Sequence, residues 1–362
     1  MIDEHAHPFA LEPGPLDLSG LSLELVPWGD AEERRRRLGP TFLWNALLRQ
    51  RLAARLGAAV EEVEAARAEA ARDYPAYVRG LFADAGITEI VMDPAWPPGA
   101  EDRVVEFERL TGCRIHLLLR IDALVDGLLE EGVDFDELVE RFDKALRDRR
   151  AAGWKGLKTI IAYRTGLAVD PEVIAATAAR ALHSDRPLKR RAKPLRDFLL
   201  RRALAFAAEA GLPFQFHTGF GDSDIRLSEA NPLLLEELLR TPEGTAANVV
   251  LIHGSFPYHE EAAYLAAARP NVHVDFSLFN IFAPARLADR LLRLIELAPT
   301  AKVLAATDGF ALPETYWFAA TLTQEAWADV RRNLERLGAG MPWIEATTRA
   351  VFEANARRLY NI

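Results

Sequence analysis

Eight short apolar segments, separated by stretches with helical periodicity, constrain the fold of this chain more than any other feature. The segments cover residues 1–7, 88–92, 114–119, 156–162, 213–217, 248–253, 272–276 and 302–306. Amphipathic stretches such as 136–149 and 195–210 lie between them. Strands that alternate with helices indicate a parallel sheet with helical crossovers, and eight such units indicate a closed barrel. The sequence therefore predicts an α/β fold, a (β/α)8 barrel that forms a single domain over residues 1–362. An open doubly wound sheet is the alternative, but no Gly-x-Gly-x-x-Gly turn follows any predicted strand.

Two helical insertions interrupt the regular alternation, one after strand 1 and one after strand 4. The first covers about residues 15–85 and contains the arginine run 34–37, which we interpret as a solvated helix face rather than an anion-binding patch. Long insertions between a barrel strand and its helix usually lie over the active-site mouth, so we expect this one to form a lid. The second includes residues 184–202, which are rich in Lys and Arg and are predicted to be solvated. From residue 314 onward the pattern predicts two or three closing helices.

Charge and cysteine content exclude several classes of function. The formal net charge of −9 over 362 residues disfavours a nucleic-acid partner, because sequence-independent binding needs a cationic face. Cys113 is the only cysteine, so no intramolecular disulfide can form. No secretory signal and no apolar stretch of about 20 residues is present, which argues against a membrane partner. We expect a cytoplasmic protein that acts on a small molecule, with a homodimer among the open oligomeric states.

The first strand carries a His-x-His pair. Side chains alternate between the two faces of a strand, so His5 and His7 lie on the same face, and Asp3 lies on that face as well. Two imidazoles on one face can form half of a metal site. The alternative is a pair of histidines that are exposed or hydrogen-bonded within the protein.

Three further polar residues each end an apolar strand and precede a turn that contains glycine. They are His217, His253 and Asp308. Barrel enzymes place catalytic groups at this end of their strands. Burying such groups is costly unless they are paired, and a divalent cation can pair with them. Three imidazoles and one carboxylate suit Zn²⁺, and Mn²⁺ or Fe²⁺ are alternatives.

Lys158 lies inside the otherwise apolar fourth strand and has three interpretations. It could be a carboxylated lysine that bridges two metals, a cation that binds a substrate carboxylate, or the partner of Asp122 in a structural ion pair. Arg120, Tyr163 and Arg164 follow the third and fourth strands and are candidates for substrate binding, because guanidinium groups grip carboxylates. The alternative for these three residues is a surface or loop-anchoring role.

The remaining histidines are not expected to bind the metal. They lie near strand starts or in helical and loop contexts, and they are His116, His183, His259 and His273. Asp222 and Asp224 are interpreted as loop-forming residues. Tyr316 and Trp317 either line the substrate pocket or pack in the core.

These motifs resemble those of a known group of enzymes. The segment Asp3-Glu4-His5-Ala6-His7 resembles the Asp-x-His-x-His signature of the amidohydrolase superfamily, and His217, His253 and Asp308 match its residues on strands five, six and eight. The segments 153–158, 163–166 and 215–222 are similar to the amidohydrolase-related (amidohydrolase 2) group, and most of all to the amidohydrolase-like domain of fungal FluG and nodulin-like proteins.

The resemblance implies a distorted TIM barrel and a metal-dependent reaction. One divalent ion, or two if Lys158 is carboxylated, would bind His5, His7, His217 and Asp308. Asp308 would act as general acid and base, and His253 would polarise the substrate carbonyl. The expected reaction is hydrolysis of an amide, ester or lactone bond in a small, carboxylate-bearing substrate. The alternatives are a metal-dependent non-oxidative decarboxylase and a catalytically silent barrel with a binding or regulatory role.

Overall fold

The fold was analysed in a computed structural model that describes residues 1–18, 21, 37–96, 99–182 and 188–362, with no side chains described for 188–192. Most of the arginine run 34–37 therefore lies outside the described residues, as does His183. The same holds for part of each predicted insertion.

Eight parallel strands form the predicted barrel. They are β1 (Ile2–Ala6), β2 (Glu89–Met92), β3 (Arg114–Arg120), β4 (Gly156–Thr159), β5 (Phe214–His217), β6 (Val249–Ile252), β7 (Val272–Asp275) and β8 (Val303–Leu304). Each strand pairs in parallel with the next one along the chain, in the order β1 to β8. Backbone hydrogen bonds from Glu4 N–H to Ala305 O (3.0 Å) and from Asp308 N–H to His5 O (2.8 Å) join the last strand to the first. The α/β barrel predicted from the sequence is confirmed.

Helices surround the barrel in the connections between strands. They are α1 (Leu43–Leu56), α2 (Val63–Ala70), α3 (Tyr74–Ala85), α4 (Val104–Thr111), α5 (Ile121–Glu131), α6 (Phe135–Ala151), α7 (Ile161–Arg164), α8 (Ala175–Leu182), α9 (Leu188–Ala210), α10 (Pro242–Ala246), α11 (His259–Ala268), α12 (Phe279–Phe282), α13 (Leu287–Leu297), α14 (Pro313–Arg336), α15 (Met341–Arg349) and α16 (Asn355–Tyr360). Among the helices that the structure describes, none combines the length and apolar character that a bilayer crossing requires.

The strands are buried, and polar side chains inside the barrel form hydrogen bonds with one another below the strand tips. Gln215 Nε2 donates to Glu4 Oε1 (2.8 Å) and lies 2.9 Å from the Tyr360 hydroxyl, which also bonds Glu4. Tyr360 comes from α16, so the last helix seals the end of the barrel opposite to the strand tips. Breaking these buried hydrogen bonds would be costly, so the layer holds the barrel interior rigid beneath the candidate metal site.

The fourth strand is shorter than predicted. The apolar run 156–162 was expected to be strand throughout, but β4 ends at Thr159 and α7 begins at Ile161. The Asp122 carboxylate accepts the Ile160 N–H (2.7 Å), and Thr159 Oγ1 accepts the Ile161 N–H (3.0 Å). Because these side chains take the N–H groups that the sheet would use, the ladder stops and the chain turns into a helix.

The first insertion is anchored to the barrel by a buried ion pair. Arg67 on α2 donates through Nε to Glu314 Oε1 (2.7 Å) on α14, and the Tyr77 hydroxyl donates to the same oxygen (2.7 Å). Both charged side chains are almost fully buried. No described residue of 15–85 lines the cavity at the strand tips, so the lid role stays a prediction for this insertion.

Replacement of Arg67 by Met should destabilise the fold strongly. The substitution leaves the Glu314 charge buried without its partner, and such losses cost about 3–5 kcal/mol. Urea unfolding followed by circular dichroism measures the effect. Arg72→Met is the control, since Arg72 forms an exposed pair with Glu69 and should cost far less. Equal effects of the two substitutions would contradict this account of the anchor.

Candidate metal centre and active site

The five residues predicted at the strand tips meet at one end of the barrel. Asp308 Oδ1 lies 3.2 Å from His5 Nε2 and 3.5 Å from His7 Nε2. His253 Nδ1 lies 3.8 Å from Asp308 Oδ2, and His253 Nε2 lies 2.9 Å from His217 Nδ1. Residues 300 positions apart in the chain thus converge, as the barrel topology requires.

Hydrogen bonds at the outer nitrogens of two histidines determine where their protons lie. His7 Nδ1 is 3.0 Å from the Asp93 carbonyl oxygen, and His217 Nε2 is 3.0 Å from the Phe220 carbonyl oxygen. A carbonyl can only accept, so each of these nitrogens must carry a hydrogen. In the neutral ring the other nitrogen is then a bare acceptor. His7 therefore turns a lone pair towards Asp308, and His217 turns one towards His253.

The ring hydrogen of His253 is located by its bond to Ser277. Its Nδ1 lies 2.8 Å from the Ser277 hydroxyl oxygen, and that hydroxyl donates its single proton to the Asp275 carboxylate, with distances of 2.8 and 3.0 Å. Nδ1 must therefore be the donor to Ser277, which leaves Nε2 bare. Two bare nitrogens, one on His217 and one on His253, thus face each other at 2.9 Å.

Burial keeps these imidazoles neutral. Loss of solvation lowers the pKa of His5, His217 and His253 well below the usual value, and it lowers the pKa of His7 to about 4. Desolvation likewise raises the pKa of Asp308. No proton is therefore available at neutral pH to bridge the facing nitrogens.

The donor set fits a divalent cation. Ligand atoms of His5, His253 and Asp308 all lie within 4.8 Å of one another. Asp308 Oδ1 is buried without a hydrogen-bond donor, and the bare His7 Nε2 lies 3.5 Å from it. Lone pairs that converge without hydrogens repel one another unless a positive charge lies between them, and nitrogen with carboxylate oxygen is a ligand set for zinc. His253 belongs to this convergent set as closely as the histidines predicted to be ligands.

Backbone conformation at the strand tips supports the arrangement. His253 has φ 67° and Asp308 has φ 53°, both in the left-handed region that non-glycine residues rarely adopt. Such conformations cost of order 1–3 kcal/mol and persist where the surrounding structure holds them, often at functional sites. The strain turns both side chains into the barrel mouth.

Lys158 points into the same site and does not pair with Asp122. Its Nζ lies 3.3 Å from His5 Nε2, and the side chain is 1% exposed. Asp122 instead accepts the Ile160 N–H, so the predicted structural ion pair is wrong. The strand pairing explains this, because Asp122 follows β3 and is used to end β4. Burial lowers the pKa of Lys158 to about 8.

The three other predicted binding residues lie around the cavity, and two of them are already paired. Arg120 binds Asp93 Oδ2 through Nε and Nη2, at 2.7 Å each, and Arg164 lies 3.2 Å from Asp126. The Tyr163 hydroxyl accepts the Asp222 N–H at 3.1 Å. This contact requires Gly221, because a Cβ there would lie 1.8 Å from the Tyr163 oxygen.

A cavity of about 350 Å³ opens above the centre. Besides the predicted residues, its wall contains side chains that sequence analysis did not assign to the site: Trp96, Ile160, Leu278, Phe282 and Phe310. Asp222 and Asp224, interpreted from the sequence as loop-forming, also line it. Asp93 was missed as well, although its position directly after β2 matches the strand-tip pattern of the residues that were found. Tyr316 is fully buried and packs in the core.

The comparisons with known proteins agree with this geometry. The sequence profile described as amidohydrolase matches residues 2–362. The chain belongs to the amidohydrolase family. FluG of Emericella nidulans is 30% identical to this chain over 296 residues, which are 72% of this chain and 33% of FluG. The chain thus spans about a third of the length of that relative.

Solved structures show the same barrel. A protein classed as a metal-dependent hydrolase from Lactobacillus casei superimposes with a TM-score of 0.86 at 26% identity, covering 99% of this chain and 94% of that one. Uronate isomerase from Thermotoga maritima gives a TM-score of 0.70 at 16% identity, covering 99% and 94%. At that identity the second likeness concerns the fold alone. Proteins that share this fold therefore include ones with different reactions.

Substitution of His5 by Ala should remove most of the bound metal. The change deletes a buried imidazole beside Asp308, and the remaining donors cannot enclose a cation equally well. Elemental analysis after zinc loading and dialysis measures the metal-to-protein ratio. His116→Gln is the control, because His116 pairs with Glu89 on β2 and away from the centre. Unchanged stoichiometric zinc in the His5 variant would rule out this centre.

Proposed function

We propose that this protein is a metal-dependent hydrolase that cleaves an amide, ester or lactone bond of a small carboxylate-bearing substrate. The observation that carries the proposal is the convergence of buried, neutral imidazoles and the Asp308 carboxylate at the strand tips. The similarity to a Lactobacillus casei protein that is classed as a metal-dependent hydrolase supports the class. The cavity of about 350 Å³ suits a small molecule.

His5, His7, His217 and Asp308 would hold the ion in this proposal, with zinc as the expected metal and manganese or iron as alternatives. When bound, a divalent ion supplies Lewis acidity, which polarises a carbonyl group and lowers the pKa of water. The converging histidines are neutral, so Asp308 is the anionic partner within this set.

Asp308 is the proposed general base and acid. Burial raises the pKa of its carboxyl group, which makes the carboxylate a stronger proton acceptor than an exposed one. It would take a proton from the attacking water and return that proton to the leaving nitrogen or oxygen. Its left-handed backbone conformation directs the carboxylate into the mouth of the barrel.

His253 and the cavity wall would orient the substrate. His253 lies across the centre from His5 and is proposed to stabilise the developing oxyanion. Lys158 is proposed to bind the substrate carboxylate, because no described carboxylate lies within salt-bridge distance of its ammonium group. The Tyr163 hydroxyl accepts from Asp222, which leaves its own proton for the substrate. Arg120 and Arg164 are proposed to assist at the rim of the cavity.

The substitution Asp308→Asn should lower turnover by at least about 10²-fold, because the amide cannot accept the proton. Zinc content is measured on the same sample, so that loss of metal is separated from loss of the base. A panel of amides, esters and lactones with a carboxylate group supplies the substrate. Full turnover in the Asn variant would refute the role of Asp308.

The type of bond cleavage is tested with water labelled with ¹⁸O. Hydrolysis places the label in the product, whereas a decarboxylase releases CO2 and leaves the product unlabelled. Turnover with label and without CO2 supports the proposal. Release of CO2 from a carboxylated substrate would replace the hydrolase proposal with the lyase alternative. Absence of any turnover across the panel would favour a binding role.

Native mass spectrometry of the zinc-loaded protein should show an unmodified Lys158 and one metal. A free ammonium group is what binding of a substrate carboxylate requires. Lys158→Arg, which cannot carry a carbamate, is the control that assigns any added CO2 unit to this position. An added CO2 unit on Lys158 together with two metals would establish the bridging role instead.

A further inference from the structure

Asp275 and Ser277 form a buried polar pair that has no role in the function proposed above. Asp275 is the last residue of β7, Ser277 follows two positions later, and neither side chain is exposed. Both face the loop that follows β6, on which His253 lies. Strand seven supplies none of the residues that sequence analysis assigned to the site, so this pair adds a strand to it.

The direction of each hydrogen bond in this pair can be derived from its donors. Asp275 Oδ1 accepts the backbone N–H of His253 at 2.5 Å and that of Ser277 at 3.1 Å. Ser277 Oγ lies 3.0 Å from Oδ1 and 2.8 Å from Oδ2. Because backbone N–H groups cannot reverse their role, Asp275 Oδ1 is held as an acceptor, and the Ser277 hydroxyl donates its proton to this carboxylate.

The serine oxygen is left with acceptor capacity only, and that capacity faces His253. The distance from His253 Nδ1 to Ser277 Oγ is 2.8 Å. Nδ1 must then carry the ring hydrogen, and Nε2 presents its lone pair to the centre, 2.9 Å from His217 Nδ1. The proton of Ser277 therefore decides which nitrogen of His253 is available for the reaction.

The backbone holds both partners in sparsely populated conformations. His253 has φ 67°, and Leu278, directly after Ser277, has φ 61°. Two loops that each contain a left-handed non-glycine residue are thus joined by the Ser277 hydroxyl and by the bond from the His253 N–H to Asp275. Removal of Ser277 Oγ would leave the His253 Nδ1–H without the acceptor that lies 2.8 Å from it here.

We infer that Ser277, oriented by Asp275, is a positioning residue that fixes the tautomer and ring orientation of His253. Mutation of a residue that hydrogen-bonds a metal-site histidine commonly lowers metal affinity or activity by 10–100-fold. The effect of the pair on turnover rests on the proposed function. Its effect on the His253 ring does not, since that effect exists without substrate.

The test uses the full-length protein labelled with ¹⁵N-histidine. Two-bond couplings between ring nitrogens and ring protons distinguish a hydrogen on Nδ1 from one on Nε2, and His253→Gln identifies the His253 signal. We expect the Nδ1–H form in the unsubstituted protein. In Ser277→Ala we expect loss of this single form, and zinc affinity, measured against a chromogenic chelator, should fall at least about 10-fold.

Asp275→Asn provides a sharper variant, because it should reverse the bridge. The asparagine amide in place of Oδ2 would donate to Ser277, so the serine proton would turn to His253 Nδ1 and move the ring hydrogen to Nε2. Ser277→Thr keeps the hydroxyl and should restore the Nδ1–H form. Ser255→Ala is the matched control, since Ser255 is buried on the same loop but bonds Thr218 (2.7 Å).

The outcomes separate this inference from the proposed function. An Nδ1–H signal that persists in both Ser277→Ala and Asp275→Asn would overturn the positioning role, whatever the enzyme hydrolyses. A signal that changes in these variants and not in Ser255→Ala supports the role, even if no substrate of the panel is cleaved. Circular dichroism of each variant confirms that the comparison is made between folded proteins.

Discussion

The mutual approach of unprotonated imidazole nitrogens and a buried carboxylate is the interaction on which the rest of this structure depends. Each histidine is kept neutral by burial, and three of them have their hydrogens drawn outward by Asp93 O, Phe220 O and Ser277. Such a cluster is unfavourable without a cation, since its lone pairs face one another with no proton between them. The cluster therefore has the donor set of a site that a divalent metal ion would complete.

The barrel supplies the rigidity that this cluster needs. The polar layer of Glu4, Gln215 and Tyr360 fills the interior below the strand tips, and hydrogen bonds between Glu4, His5, Ala305 and Asp308 close the sheet directly beneath the site. The proposed ligands lie at the ends of three different strands, β1, β5 and β8, so a small change in one strand moves its donors relative to the others. A closed sheet with a packed floor limits such movements to the loops that follow the strands.

Sequence analysis could identify the parts of the site that follow one rule. A histidine or aspartate at the end of an apolar strand, before a glycine turn, is visible without a structure, and this rule found His217, His253 and Asp308. The strand periodicity placed His5 and His7 on one face in the same way. The barrel itself followed from eight repeats of one pattern, each with a strand that is apolar because both of its faces are covered.

What could not be predicted depends on contacts between distant segments. Lys158 was recognised as unusual, but its neighbour, His5, is set by how β4 lies in the closed barrel and not by nearby residues. Asp122 is close to Lys158 in the expected topology, yet the Ile160 N–H takes its carboxylate. The role of Ser277 is invisible in the sequence, because it depends on the direction of a single hydroxyl proton.

The most direct test of the central claim is X-ray absorption at the zinc edge of the zinc-loaded protein. Imidazole rings scatter in a way that allows them to be counted, and zinc–nitrogen bonds in proteins are about 2.0–2.1 Å long. The account predicts a first shell of nitrogen and oxygen with at least three imidazoles and no sulfur. A shell with one imidazole or none, as for an ion held at the surface, would contradict it.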